Sequence, residues 1–140
     1  VSTAGRYLTA EDRAELPDQV HVVDHLPAHQ LAGLIDASVV HGGEGTVQTA
    51  CASGVPFAGI GLQAEQRWNV REAERSGHAV GFTARGLRRG ALPGIVTRLL
   101  EDPLLRERAR EVAERVATLD GAAVAAQKIA ALVADRRGSG

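Results

Sequence analysis

Methionine is absent from this 140-residue chain, cysteine and lysine occur once each, and aromatic residues make up 3%. Each shortage excludes something. One thiol, Cys51, cannot form an internal disulfide, which removes the disulfide-framework class and fits a cytosolic setting. No histidine stands at a telling spacing from it, so Cys51 reads as a small buried residue rather than a nucleophile. No apolar run approaches the ~20 residues of a membrane span and no signal peptide is recognisable, so a cytoplasmic location is expected. A net charge of −1 gives no global basic field, and no basic patch carries interleaved aromatics, which argues against a nucleic-acid partner. With no methionine, Val1-Ser2-Thr3-Ala4-Gly5 reads like a strand entered partway along, as in a fragment, although initiator removal before Val1 would leave the same sequence.

What is present suffices for one core. Apolar residues make up 44% and charged residues 24%, ordinary for a globular domain, and the length favours one domain over two. Residues 1–140 are therefore read as one domain, with 91–140 as its C-terminal helices. Val1 to Thr3 is a strand-like tail. Thr9-Ala10-Glu11-Asp12 resembles a capping box, with Asp in place of the usual Glu, opening a helix that ends near Leu16-Pro17. Strands are predicted over Val20–Val23, Ser38–Val40, Phe57–Ile60 and Ala79–Phe82. Helices are predicted from Pro27 to about Leu34, from Thr46 to Ala52 and from Glu65 to Arg75. Short apolar strands alternating with helices of about ten residues argue for βαβ units, hence an α/β Rossmann-like parallel sheet flanked by helices. The last third is helical: Leu92–Leu100, then a helix opened by Asp102-Pro103, then one after Asp120-Gly121. Leu105, Ala109, Val112, Ala113 and Val116 form the apolar stripe of the middle one. Glu111 and Arg115 make an i,i+4 pair on its solvated face, and Arg136 to Gly140 reads as a frayed tail.

The stretch Val39 to Gln66 organises the rest. Val39-Val40 ends a strand, His41 follows, and glycines stand at 42, 43 and 45 ahead of a helix. At such a turn the helix start offers free N–H groups and a favourable dipole, and glycine lets an anion approach the backbone. The pattern reads as a diphosphate cradle. In a parallel sheet the loops at the strand C-terminal ends form the binding edge, which places His25, His41, the glycine turn and Gly61–Gln66 together. His21, His25 and His29 are spaced by four, but Pro27 and the extended Val20–Val23 keep them off one helix face, so no metal site is expected.

His41-Gly42-Gly43-x-Gly45-Thr46, then Gly54-Val55-Pro56, then Glu65-Gln66-x-x-Asn69 resembles the donor-binding C-terminal half of GT-B glycosyltransferases. More narrowly, it resembles the UDP-glycosyltransferase and antibiotic/macrolide glycosyltransferase group. The match runs from about Val20 to Phe82, and three ordered motifs are more specific than one glycine turn. The resemblance implies that His41 contacts a donor diphosphate oxygen. It implies that backbone around Gly42, Gly43, Glu44, Gly45 and Thr46 holds the phosphates, with the Thr46 hydroxyl as a further donor. Glu65 and Gln66 would bind hydroxyls of the donor sugar, where relatives carry Asp-Gln, and His25 would stack on the base in place of a larger aromatic. Thr49 stands where many UDP-sugar enzymes carry a Glu on the ribose, which shifts expectation toward dTDP-sugars over UDP-sugars. Glu44 adds negative charge beside the phosphates and must point outward. Trp68 is expected to pack.

The implied reaction is inverting, metal-independent transfer of a sugar from a dTDP- or UDP-sugar to a small-molecule acceptor. The catalytic base and acceptor site belong to an N-terminal half that has no counterpart here, so no catalytic residue is assigned in this chain. An N-terminal acceptor domain or partner chain is the implied partner, and a homo-oligomer is possible. Two alternatives stand beside this one. The first is a non-catalytic nucleotide-sugar-binding module or accessory subunit. The second is a related lipid-linked N-acetylglucosaminyltransferase or epimerase.

Overall fold

The computed structural model describes residues 1–3, 5–27 and 30–138. The chain divides into two compact units, Val1–Leu31 and Ala32–Gly140.

In the first unit, α1 (Ala10–Ala14) starts at the predicted capping box. The Thr9 hydroxyl accepts from the Asp12 N–H at 3.1 Å, and the Asp12 carboxylate accepts from the Thr9 N–H at 2.7 Å. Val20–Val23 does not become a sheet strand. Only an isolated parallel bridge joins Ser2 to Val22, framed by bonds from the Ser2 N–H to the His21 carbonyl and from the Val23 N–H to the Ser2 carbonyl. Each run has only three or four residues before Gly5 and Asp24 turn the chain, too few to extend a ladder. The helix predicted from Pro27 to about Leu34 does not reach Leu34. Ala28 and His29 lie outside the described residues, Gln30 is in a 3-10 turn, and Ala32–Leu34 is a turn around Gly33, whose φ of +78° ends any right-handed helix.

The second unit is the α/β sandwich that the alternation predicts. Three parallel strands, β1 (Ser38–Val40), β2 (Phe57–Ile60) and β3 (Ala79–Phe82), pair in sequence order. Val39 faces Ala58, and Ala58 faces Val80. The helices α2 (Glu44–Ser53) and α3 (Ala64–Arg75) make the two crossovers. Gly54, at φ +73°, ends α2 ahead of the Val55-Pro56 break, as its sequence requires.

Period-two alternation in β2 sends neighbouring side chains to opposite cores. Phe57 packs with Ala50 of α2, Ala73 of α3 and Ala79, with Val40, Val47 and Cys51 around them. Ala58 packs on the other face with Val80, Leu99 and Leu105, which come from β3, α5 (Leu92–Glu101) and α6 (Pro103–Ala117). Residue 59 is glycine because α3 lies directly on the strand there: a Cβ would sit 2.4 Å from Val70 Cγ2.

A five-residue helix, α4 (Ala84–Arg88), joins β3 to α5; Thr83 caps it through the Gly86 N–H. Its five residues carry too little periodicity to mark a helix in the sequence. The Asp102-Pro103 start of α6 is as predicted, with Asp102 accepting from Leu104 and Leu105. Glu111 of α6 pairs with Arg108, at 2.7 Å, and not with Arg115, whose charge lies near His78. The last helix, α7 (Gly121–Gly138), runs through Arg136 to Gly138, so that part of the expected frayed tail is helical, while Ser139 and Gly140 lie outside the described residues. Its side chains from 121 to 134 are exposed, including Ile129 and Leu132. Among the described residues no single helix is long and apolar enough to cross a membrane.

Candidate functional site

The C-terminal edge of the sheet carries the glycine turn. His41 leaves the end of β1 exposed, and Gly42 turns the backbone inward at φ +88°. A Cβ at position 42 would lie 2.8 Å from Val70 Cγ2 and 2.9 Å from the Gln66 carbonyl oxygen. Only glycine satisfies both the left-handed conformation and the close approach to α3. Gly43 is the N-cap residue of α2, and a Cβ there would meet His41 Nε2 at 2.5 Å. The imidazole therefore lies against the start of the helix because residue 43 has no side chain. Around Gly45 nothing stands within 4 Å of where a Cβ would be, so the first turn of α2 presents bare backbone.

That backbone is uncapped. No side chain accepts from the start of α2, and its first backbone bond runs from the Val47 N–H to the Gly43 carbonyl. The N–H groups of Glu44, Gly45 and Thr46 thus find no partner among the described residues, whereas α1, α4 and α6 each begin under a Thr or Asp cap. Three unsatisfied donors at the positive end of a ten-residue helix can hold an anion. Glu44 does point outward as required: it is exposed, and its Oε1 accepts from Gln48 one turn along. The Thr46 hydroxyl donates to the Gly43 carbonyl and the Thr49 hydroxyl to the Gly45 carbonyl, both at 2.8 Å. Each hydroxyl has a single proton, so either one must rotate before it can donate to a ligand.

Opposite the turn stands the first half of α3. Gln66 is fixed by its own helix cap, with Oε1 accepting from the N–H groups of Leu62 at 3.1 Å and Gln63 at 3.2 Å. This leaves its Nε2 as the outward donor. The Glu65 carboxylate is exposed and accepts from Asn69 Nδ2, which also donates to the Gly42 carbonyl at 3.0 Å. The expected convergence of His41, the glycine turn and Gly61–Gln66 on one edge is thus what the second unit displays. His25 is exposed in the first unit. Trp68 does not pack: it is 63% exposed, because α3 buries Val70 and Ala73 and residue 68 falls on the far side of the helix.

Three further residues join these elements. Asn69 is part of the third motif, and its i,i+4 spacing from Glu65 is the sequence signal for their contact. Glu74 of α3 reaches β3, where its Oε1 accepts from the Gly81 N–H at 2.6 Å. His78, just before β3, is 3% exposed and lies with Nε2 3.4 Å from Cys51 Sγ. Cys51 is half-buried rather than fully buried as expected, and burial pushes its thiol up, which favours the protonated form. Burial, and then the nearby Arg115 charge, hold the His78 imidazolium below the ordinary histidine range.

Two surface hollows, each of about 420–430 Å³, open against α6, one beside Glu114 and Arg115 and one beside Pro103 and Arg110. Neither touches the glycine turn, which is an open cradle with one wall. Among the described residues no three His, Cys, Asp or Glu side chains gather as metal ligands, and His29 of the spaced histidines lies outside them.

Residues 7–132 match the family described as erythromycin biosynthesis protein CIII-like, C-terminal domain. The chain is 37% identical over 108 residues to aklavinone 7-beta-L-rhodosaminyltransferase of Streptomyces galilaeus, covering 69% of this chain and 22% of that protein. It superposes on the glycosyltransferase SnogD from Streptomyces nogalater with a TM-score of 0.69 and 33% identity, covering 89% of this chain and 32% of SnogD. On the glycosyltransferase VinC in complex with dTDP, the TM-score is 0.71 at 29% identity, over 79% of this chain and 29% of VinC. The chain thus spans less than a third of the length of these relatives.

Proposed function

The chain belongs to the erythromycin biosynthesis protein CIII-like C-terminal domain family, a family of GT-B glycosyltransferases, and from that premise we propose that it binds the nucleotide-sugar donor for an inverting, metal-independent transfer to a small-molecule acceptor. The observation that carries this is the uncapped start of α2 behind Gly42-Gly43, with the His41 ring against it. A departing nucleoside diphosphate develops negative charge, and preorganised N–H donors at a helix start stabilise it without a metal ion.

In this reading the backbone N–H groups of Glu44, Gly45 and Thr46 hold the phosphates and His41 adds a side-chain donor. Glu65 accepts from sugar hydroxyls and Gln66 Nε2 donates to them. Thr49 leaves the ribose without a carboxylate partner, which favours a dTDP-sugar over a UDP-sugar, and the dTDP bound by VinC supports that choice by analogy. His25 is proposed to stack on the base. No residue here is proposed as catalytic base, so turnover requires an acceptor domain or partner chain.

Calorimetric titration of the chain with dTDP and UDP tests the proposal. Saturable binding, tighter for dTDP and weakened by His41→Ala, is expected. Failure of the folded chain to bind either nucleotide would overturn it.

A further inference from the structure

Asn69 stands 27 residues from Gly42 in sequence, yet its side chain touches both the glycine turn and Glu65. Asn69 Nδ2 has two hydrogens, and both are used: one on the Gly42 carbonyl, the other on the Glu65 carboxylate. We propose that Asn69 is a positioning residue that locks the glycine turn to the Glu65 carboxylate, so that diphosphate and sugar are held at a fixed separation. The proposal rests on the donor-binding reading above.

The residue choice fits this role and little else. Asparagine is a poor residue for the interior of a helix, because its amide competes for backbone groups. Residue 69 nevertheless sits mid-way along α3, with Val70 buried beside it. An aspartate there would present acceptors to a carboxylate and a carbonyl. A glutamine would be one methylene too long for a turn packed so closely on α3 that a Cβ at residue 42 would clash with Val70 and the Gln66 carbonyl. Leucine matches the branching and heavy-atom count of asparagine, is bulkier, and has no donor.

Each bond also meets a need at its far end. The Gly42 backbone is buried and left-handed, held where α3 closes over it, so its carbonyl needs a partner inside the protein. Glu65 is exposed and free to adopt several rotamers unless something selects one; Asn69 engages Oε1 and leaves Oε2 for a ligand. If the turn shifts, Asn69 loses its anchor and Glu65 loses its orientation. That coupling separates positioning from packing.

The test titrates dTDP and dTDP-glucose into the 140-residue chain and into its Asn69→Leu, Asn69→Asp and Glu65→Gln variants, with melting curves to confirm folding. Asn69→Leu is expected to weaken dTDP about threefold, through the turn, and dTDP-glucose about tenfold, through turn and carboxylate together. Glu65→Gln is expected to weaken only the sugar-bearing ligand. Asn69→Asp supplies a readout that a merely structural role would not move. With two carboxylates in contact one proton is held more tightly, and a protonated Asp can donate to the carbonyl or share its proton with Glu65. The loss of dTDP-glucose affinity in this variant, relative to the unmodified chain at the same pH, should therefore shrink as pH falls from 7.5 toward 5. Equal losses for both ligands in Asn69→Leu, or no pH-dependent recovery in Asn69→Asp, would overturn the proposal and leave the donor reading intact. No binding of either ligand by the folded unmodified chain would overturn both.

Discussion

The two ends of the sheet each carry a histidine, and they are built in opposite ways. His41 leaves the C-terminal end of β1 exposed, its ring resting on a glycine beside unpaired N–H groups. His78 enters the N-terminal end of β3 buried, edge-on to Phe57 with ring centroids 5.6 Å apart, and its Nδ1 has no partner in the described structure. Helix α2 connects the two ends, opening beside His41 and bringing Cys51 to His78 in its last turn. One end leaves its polar groups open to solvent, the other encloses them in the core. On the donor-binding proposal the same residue type serves recognition at one edge, while at the other it is packed away from any ligand.

The largest test of that division is Phe57→Ala at the buried end. Its side chain is fully buried, so removal should cost about 3–5 kcal/mol of stability, seen in denaturant unfolding, with dTDP affinity of the remaining folded protein unchanged. His41→Ala should do the reverse: affinity for dTDP falls about tenfold by calorimetry, while stability moves by less than about 0.5 kcal/mol. If His41→Ala unfolds the chain, the two ends are not separable in this way.

Acid sharpens the contrast. Because His78 in the folded chain sits below its ordinary value of 6.5, the unfolded chain takes up a proton near pH 6.5 that the folded chain refuses. Stability should be full above about pH 6.5 and decline as pH falls from there to the lowered folded value, with a slope of at most about 1.4 kcal/mol per pH unit. His78→Leu should flatten that part of the curve, measured as melting temperature against pH. The smallest effect is expected from Gly43→Ala. The backbone of residue 43, at φ −62° and ψ 147°, admits alanine, but the new methyl displaces the His41 ring. A loss of roughly two- to threefold in dTDP affinity should follow, smaller than that of His41→Ala.

How much of this was legible in the sequence depended on distance along the chain. The glycine turn, the Thr9 cap, the three strands of the second unit and the Asp102-Pro103 start are local patterns, each set by a few neighbouring residues. Contacts that join elements were invisible. Asn69 to Gly42 and Cys51 to His78 each span 27 residues, and nothing in periodicity announces which side chains meet across a crossover. Trp68 shows a second limit. Its size suggested packing, but helical phase, fixed by Val70 and Ala73, turned it outward. Val20–Val23 shows a third, since composition favours a strand while a ladder needs a neighbour long enough to hold it.

The carboxylate of Glu74 has one more consequence. The Gly81 N–H that it occupies points away from β2, where a fourth strand would have to dock. With that donor held by a charged side chain of α3, a strand docking on β3 would have to displace Glu74. At β1 no described strand pairs with the outer edge. The two edges of the sheet thus differ in what an incoming strand would meet: an occupied donor at β3, and at β1 the strand that delivers His41.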